Sequence, residues 1–325
     1  MVLPVVAIIG GLILLTWSAD RFVFGASALA RGLGVSPLII GLTIVAFGTS
    51  APEIVVSVLA SLQGNPGLAV GNAIGSNIAN IALVLGTATL VAPLAIGRGM
   101  VRRELPILLL VSFGVLLLLV DGELGRLEGI ALLAGLVLFT AWMAISARRA
   151  RPAPHDDTPE VVRGMVETIP EGDRLGPAIA WLVFGLLLLL ASSQALVWGA
   201  VEIAEQLGVS DLVIGLTIVA VGTSLPELAT SVVAAFRREA GLAIGNVVGS
   251  NLFNLLAVLA VPALITPLAI DADVLTRDYP VMLALTVALF LIALGRRGQI
   301  RRWQGALLLI AFASYLVYLG ITATA

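Results

Sequence analysis

Two glutamates stand inside segments that are otherwise apolar enough to lie in a lipid bilayer. Glu53 lies in GLTIVAFGTSAPEIVVSVLAS, and Glu227 lies in the closely similar GLTIVAVGTSLPELATSVVAA. A carboxylate at the centre of a bilayer is costly unless its charge is compensated, so intramembrane ionisable residues are candidates for functional sites. No Lys or Arg lies in the central part of any apolar segment to pair with them. A bound cation is therefore the expected partner.

Other oxygen-bearing side chains share a helical face with each glutamate, or form a second polar stripe on the next segment, at spacings of three and four residues. They are Thr49, Ser50, Ser57, Asn72, Ser76 and Asn80 in the first half and Thr223, Ser224, Ser231, Asn246, Ser250 and Asn254 in the second. None offers sulfur or imidazole. Hard cations such as Ca²⁺, Mg²⁺ and Na⁺ prefer such ligands, whereas zinc and copper prefer nitrogen or sulfur.

A proline precedes each glutamate and removes a backbone hydrogen-bond donor. Because Pro52 and Pro226 carry no N–H, carbonyls one turn earlier, near Gly48 and Gly222, lose their helical partner and can face a ligand. The two carboxylates would neutralise one divalent ion, or most of the charge of several monovalent ions. Competing cations could then occupy the same ligands in turn, which is a basis for exchange.

The composition places these glutamates in an integral membrane protein. Of the 325 residues, 59% are hydrophobic and 12% are charged, and the mean hydropathy is +1.10. The apolar runs are continuous, which excludes a β-barrel. There is no cysteine, so thiolate sites and disulfides are excluded. The arginine clusters at the ends of the apolar runs are orientation signals rather than nucleic-acid sites.

The apolar runs predict ten transmembrane spans. Their approximate bounds are 2 to 30, 37 to 62, 67 to 95, 104 to 120, 126 to 147, 177 to 206, 211 to 236, 241 to 268, 278 to 295 and 302 to 322. All 18 basic residues are Arg, and sixteen of them fall on one side of these spans. The positive-inside tendency makes that side cytoplasmic and puts both termini outside, in the inner (plasma) membrane of a prokaryote.

The chain is a tandem duplication. A shift of 174 residues aligns GVSPLIIGLTIVAFGTSAPE with GVSDLVIGLTIVAVGTSLPE, identical at 16 of 20 positions, and then GLAVGNAIGSNIAN with GLAIGNVVGSNLFN. Each half has an odd number of spans, so the halves enter the membrane from opposite sides, as in many secondary transporters. The predicted fold is therefore an all-α membrane protein of ten helices in two inverted-topology five-helix repeats. Residues 1–147 form the first repeat, 148–175 a cytoplasmic linker and 176–325 the second.

GTSAPE and GTSLPE, each followed by GNAIGSNIAN or GNVVGSNLFN, resemble the paired repeats of the calcium/cation antiporter superfamily. The similarity is greatest to the prokaryotic sodium/calcium exchangers, and it covers essentially the whole chain. It implies a core of the second, third, seventh and eighth helices that holds one calcium site flanked by sodium sites. Ca²⁺ and Na⁺ would be transported ions, with no organic cofactor.

The resemblance also implies residue roles. Calcium would be bound by Glu53 and Glu227 with backbone oxygens of Thr49 and Thr223. Sodium would use the same glutamates with Ser50, Ser76, Ser224 and Ser250 and the carbonyls of Ala46 and Ala220. Asn80 and Asn254 would lie between the glutamates. Some relatives carry Asp at the position of Asn254, including potassium-dependent exchangers, so Asn argues against potassium coupling and leaves the stoichiometry open.

Three alternatives remain at this stage. A proton-coupled cation antiporter of the same superfamily would share the glutamates, although the fuller set of Ser and Asn oxygens suits sodium better. A cation channel would also line a path with carboxylates, but its flux would not depend on a counter-ion. An intramembrane enzyme would need a nucleophile and a base, and the only histidine, His155, lies in the linker. The expected partners are inorganic cations and the lipid bilayer, with no nucleic acid and no obligatory protein partner evident.

Overall fold

Apolar helices account for most of the fold. The computed structural model describes residues 2–149, 175–207, 220–295 and 298–323. In the first half the helices are α1 (Val2–Gly32), α2 (Pro37–Thr49), α3 (Ala51–Leu62), α4 (Pro66–Val91), α5 (Arg98–Arg102), α6 (Glu104–Leu119) and α7 (Arg126–Arg149). In the second half they are α8 (Leu175–Gln206), α9 (Ala220–Thr223), α10 (Leu225–Phe236), α11 (Ala240–Ile265), α12 (Val274–Ala293) and α13 (Arg302–Ala323).

Among the described residues, seven helices are long and apolar enough to cross a bilayer, or eight if α2 and α3, bent by 40°, form one span. Two predicted spans fall outside this number. The span at 104 to 120 corresponds to α6, which has 16 residues. The span at 211 to 236 begins outside the described residues and continues in α9 and α10. The count of ten spans therefore stays a prediction.

The ends of two long helices correct the predicted bounds. The spans expected at 67 to 95 and 241 to 268 end earlier, at Val91 and Ile265. The next residues, Ala92 and Thr266, take extended conformations with φ near −143° and −142°. Each lies directly before a proline, whose ring disfavours a helical conformation in the preceding residue.

Short strands follow both helix ends and join the two halves of the chain. β1 (Leu94–Ala95) pairs with β4 (Gln299–Ile300), and β2 (Glu123–Leu124) pairs with β3 (Leu268–Ala269), both antiparallel. Each pair takes one strand from each half. The pairs therefore connect loops that lie far apart in sequence.

The same helix bounds recur 174 residues later. α3 and α10 begin and end at equivalent positions, and so do α4 and α11. Inside the last two, a π-helical turn recurs at Asn80–Val84 and Asn254–Val258. The equivalence of the halves seen in sequence therefore extends to local backbone geometry.

The first helices of the two halves, α1 and α8, pack against each other along their length. A methyl group added at Gly25 would lie 2.5 Å from the backbone nitrogen of Leu182, and one added at Gly199 would lie 2.6 Å from the carbonyl of Pro4. Residues early in α1 thus meet residues late in α8, so the two helices run antiparallel. Opposed directions are what inverted repeats require of equivalent helices.

Candidate cation site

The polypeptide breaks its helix one turn before each glutamate. α2 ends and α3 begins around Ser50, with φ −83° and ψ 5°, and the same break falls at Ser224, with φ −87° and ψ 5°. Pro52 and Pro226 occupy the first turn of the following helices, where a missing N–H costs nothing. The break lies two residues after Gly48 and Gly222, whose carbonyls were predicted to lose their helical donors.

Both glutamates lie where the broken helices cross the other half of the protein. Glu53 is 1% exposed and Glu227 is 0% exposed. In each, the Oε2 oxygen is buried without a hydrogen-bond partner among the described residues. No ion pair involves either carboxylate within the described part of the chain. Two buried carboxyl groups thus keep an oxygen free for a ligand, and this is costly in a protein interior unless a ligand binds there.

An asparagine amide holds the main chain at each glutamate. Asn72 Nδ2 donates to the carbonyl of Glu53 at 3.0 Å and to Ser57 Oγ at 2.9 Å. In the second half, Asn246 Nδ2 donates to the carbonyl of Glu227 at 3.3 Å, and it also donates to the Ser231 hydroxyl at 2.9 Å. These asparagines and serines were expected on the polar faces of the site. Their contacts make them supports that orient the glutamates.

Two contacts join the halves directly at the site. Ser50 Oγ donates to Glu227 Oε1 at 3.2 Å. The Thr49 hydroxyl donates to Asn246 Oδ1 at 3.1 Å and lies 3.5 Å from Ser250 Oγ. The predicted ligands Thr49, Ser50, Glu227 and Ser250 are therefore brought together, although 174 or more residues separate the two sets in sequence.

The asparagines at the start of the π-helical turns are also buried. Both side-chain atoms of Asn80, Nδ2 and Oδ1, are without hydrogen-bond partners among the described residues, and so is Asn254 Oδ1. Asn254 Nδ2 donates to Asn77 Oδ1 at 3.1 Å. Asn77 was not among the predicted site residues, although it stands in the repeated GSN motif. A π-helical turn frequently marks a functional position in a helix.

The remaining predicted ligands are Ser76, Ser224, Ala46, Ala220 and Thr223. Ser76 is buried, and the hydroxyl of the buried Ser224 has no hydrogen-bond partner within the described residues. The carbonyl of Ala46 accepts the N–H of Ser50 at 3.0 Å and the hydroxyl of Thr49 at 3.4 Å. Ala220 and Thr223 begin and end α9.

One further contact was missed by sequence reasoning. The Ser193 hydroxyl of α8 donates to the carbonyl of Gly222 at 3.2 Å. Pro226 leaves that carbonyl without its usual helical donor, and Ser193 replaces it. The equivalent residue in the first half is Ala19, which has no hydroxyl. Comparison of the two repeats position by position was the signal that could have found this contact.

The arrangement is suited to a hard cation. Its predicted donors are carboxylate, hydroxyl, amide and backbone oxygens, which Ca²⁺ and Na⁺ accept. No cluster of three or more His, Cys, Asp or Glu residues occurs among the residues that the structure describes. Neutral oxygens must therefore complete any coordination begun by the two glutamates.

Comparison with known proteins decides the family. The sequence model described as "Sodium/calcium exchanger protein" matches residues 3–145 and 177–320, one stretch in each half of the chain. The chain belongs to the sodium/calcium exchanger family. Because this is a family of exchangers, the protein is a cation antiporter embedded in the membrane, and the hypothesis of an intramembrane enzyme is set aside.

Relatives of this antiporter match it over nearly their whole lengths. CaxA of Alkalimonas amylolytica, provisionally named an antiporter, is 50% identical over 97% of this chain and 98% of its own. The sodium/calcium exchanger MaX1 of Methanosarcina acetivorans is 34% identical, over 95% of this chain and 96% of its own. A solved structure of the sodium-calcium exchanger NCX_Mj superposes with a TM-score of 0.84 at 34% identity, covering 97% of this chain and 98% of that one.

Proposed function

We propose that this antiporter exchanges Ca²⁺ for Na⁺ by alternating access at a single site near the middle of the membrane. The observation that carries the proposal is the pair of buried glutamates, each with a carboxylate oxygen free of hydrogen bonds among the described residues. Their two negative charges equal the charge of one Ca²⁺. The names of MaX1 and NCX_Mj, both sodium/calcium exchangers, support sodium as the counter-ion.

The proposed site divides its ligands between the two ions. Glu53 and Glu227 bind Ca²⁺ together with the main-chain oxygens of Thr49 and Thr223. Na⁺ shares the glutamates and adds neutral oxygens from the helix breaks and from the polar stripes of α4 and α11. These neutral ligands are Ala46, Ser50, Ser76, Asn80, Ala220, Ser224, Ser250 and Asn254.

Charge compensation explains why the two fluxes are coupled. An empty site would carry two uncompensated carboxylates through the middle of the membrane, which is costly. When one Ca²⁺ or several Na⁺ bind, the charge is compensated, and α1 with α8 can slide across the core to expose the site on the other side. The ions therefore cross in alternation, and a leak without a bound ion is suppressed.

The test is Ca²⁺ uptake under imposed ion gradients. Purified protein in liposomes loaded with Na⁺ is diluted into Na⁺-free buffer containing ⁴⁵Ca²⁺, with a parallel arm in which only a pH gradient is imposed. We expect uptake in the Na⁺ arm alone, and no uptake when Na⁺ inside is replaced by a large organic cation. The Glu53→Gln variant is the matched control, since it keeps the size of the side chain and removes its charge.

Two results would count against this proposal. Uptake that follows only the pH gradient would assign the protein to proton-coupled antiport, with the glutamates as proton carriers. Uptake that needs no counter-ion on the opposite side would indicate a channel.

A further inference from the structure

The two ends of the sliding helices are not packed equally. α1 packs along α10, at the end of the molecule where the Arg-rich connections lie. The equivalent packing of α8 along α3, at the opposite end, is almost absent. The two halves are equivalent in sequence, yet they are packed differently. One side of the molecule is closed by the contact of α1 with α10, and the other side is open because α8 and α3 are separated.

An ion pair spans the closed side. Arg237, directly after α10, contacts Asp20 of α1, with Nη2 at 2.6 Å and Nε at 2.8 Å from the same oxygen, Oδ1. The guanidinium of Arg237 also lies 5.9 Å from the ring centroid of Phe24 in α1. Asp20 is followed directly by Arg21 in the sequence. Arg21 instead lies over the rings of Trp17 and Trp181, at 5.3 and 5.1 Å.

A second, looser pair lies at the same end. Arg31, near the end of α1, has Nη1 3.8 Å from Oε1 of Glu239, the residue before α11. Glu239 makes no side-chain hydrogen bond to the start of its own helix. The equivalent residue Asn65 does cap its helix, accepting the N–H of Leu68 at 3.1 Å. Glu239 therefore contacts α1, whereas its counterpart Asn65 caps its own helix, α4.

The mirrored side cannot form either ion pair. The residues 174 positions away from Asp20 and Arg237 are Gln194 and Gln63, both exposed, and no hydrogen bond joins them within the described part of the chain. The counterparts of Arg31 and Glu239 are Glu205 and Asn65. Closure of that side would bring only neutral amides and one carboxylate together.

We propose that Asp20–Arg237, supported by Arg31–Glu239, is an ionic latch between the sliding helices and the core. It is present on the Arg-rich side alone, and it biases the antiporter towards the conformation closed on that side. The inference rests on the alternating access proposed above. If the Arg-rich side is cytoplasmic, the resting protein presents its site to the outside.

The latch is weak enough to open during every cycle. The side chains of Asp20 and Arg237 are 37% and 36% exposed, so solvent screens their attraction. Exposed pairs contribute about 0.2–1 kcal/mol, which corresponds to a change of up to about fivefold in the ratio of two conformations. Such a bias sets the resting population without trapping the protein.

The absence of cysteine makes the test direct. Leu33 and Phe236 are exposed on either side of the latch, and their counterparts Leu207 and Leu62 are exposed on the mirrored side. Each pair is changed to cysteine in a separate protein and spin-labelled. Pulsed electron paramagnetic resonance then gives the distance distribution across each side, in lipid nanodiscs without Na⁺ or Ca²⁺.

We expect the 33/236 pair to show mainly its shorter distance when the latch is intact. Asp20→Asn or Arg237→Gln should lower the ratio of closed to open populations there by up to about fivefold, with the opposite change in the 62/207 pair. The charge swap Asp20→Arg with Arg237→Asp should restore the original ratio. Gln194→Asn, at the mirrored position, is the control and should change neither distribution.

The salt concentration provides a second, independent test of the latch. Raising N-methylglucamine chloride from about 0.1 to about 1 M shortens the screening length from roughly 10 to 3 Å. The closed population should fall in the protein with the native latch and stay constant in Asp20→Asn. Equal responses in both proteins would show that no ionic contact sets the population.

Failure of the latch and failure of alternating access give different results. If saturating Na⁺ or Ca²⁺ shifts both distributions but Asp20→Asn does not, the latch is wrong and the transport mechanism stands. If both label pairs show one unchanging distance under every ion condition, the alternating access on which the latch depends is overturned as well.

Discussion

At the scale of single residues, the candidate site combines carboxylate oxygens that have no hydrogen-bond partner in the described part of the chain with one asparagine whose amide is fully hydrogen-bonded. Glu53 and Glu227 each keep an oxygen without a partner among the described residues, whereas Asn246 uses both ends of its side chain. Its nitrogen serves Glu227 and Ser231, and its oxygen accepts Thr49 from the other half. This asparagine therefore fixes the glutamate of one repeat against the helix break of the other.

The Asn246→Ala substitution tests that role. It removes one hydrogen-bond partner from the carbonyl of Glu227 and one from the hydroxyl of Thr49, which keeps the carbonyl of Val45 at 3.1 Å. A lost hydrogen bond of this kind costs about 0.5–1.5 kcal/mol. We expect Ca²⁺ affinity to fall by about tenfold or more, measured by titration of the purified protein. Thr140→Ala, which removes a hydroxyl bonded within its own helix, is the control. Unchanged affinity in Asn246→Ala would mean that the amide does not orient the glutamate.

The candidate site could be proposed from the sequence because its chemistry is unusual for its surroundings. A carboxylate in an apolar segment is visible in one sequence, and its recurrence in the same frame makes it more informative. The contacts of Asn72 and Asn246 were not predictable. Helical spacing puts an amide on the polar face, but it does not say whether the amide contacts an ion or the backbone of a neighbouring helix.

At the scale of helices, glycines at close crossings hold α1 and α8 together. Gly11, Gly25, Gly185 and Gly199 are related in pairs by the repeat, and all lie in the α1–α8 contact. The hydrophobic effect does not drive helices together inside a membrane. Small residues stabilise helix association there because they let the two backbones pack closely. α1 and α8 are therefore expected to move as one body.

Gly25→Ala tests this crossing. The added methyl group would lie 2.5 Å from the backbone nitrogen of Leu182, so the helices must separate. Overpacking of this kind costs about 1–3 kcal/mol, so the melting temperature in detergent should fall. Gly10→Ala is the matched control, because nothing lies within 4 Å of a methyl group there. Equal melting temperatures in the two variants would contradict the account of the crossing.

Helix positions were predictable from apolar runs, and helix ends less so. Hydropathy does not change at Ala92 or Thr266, so it predicts spans that continue past the prolines that follow them. Composition gives no signal for the π-helical turns that begin at Asn80 and Asn254, because each turn depends on an extra residue accommodated in the backbone. Alignment of the repeats shows that Ser193 stands where the first half has Ala19. Only the folded structure shows that the Ser193 hydroxyl donates to the carbonyl of Gly222.

At the scale of the whole molecule, the duplication explains both the shared site and the need for asymmetry. Two equivalent halves supply one glutamate each, so neither half makes a complete site. Under the proposed alternating access one side closes at a time, and two inverted halves can achieve this by exchanging conformations. Sequence alone could indicate the duplication, but it could not indicate which side is closed, because both states have the same sequence.

The central claim is that Ca²⁺ and Na⁺ compete for one site built on Glu53 and Glu227. The most direct measurement is equilibrium ⁴⁵Ca²⁺ binding to the purified protein over a range of Na⁺ concentrations, for the native chain and for Glu53→Gln and Glu227→Gln. The account predicts that Na⁺ displaces Ca²⁺ completely from the native protein. Each variant should stay monodisperse and lose Ca²⁺ binding, whereas Glu123→Gln, at an exposed position of strand β2, should bind normally. Ca²⁺ binding that persists in both glutamate variants, or that Na⁺ does not displace, would contradict the account.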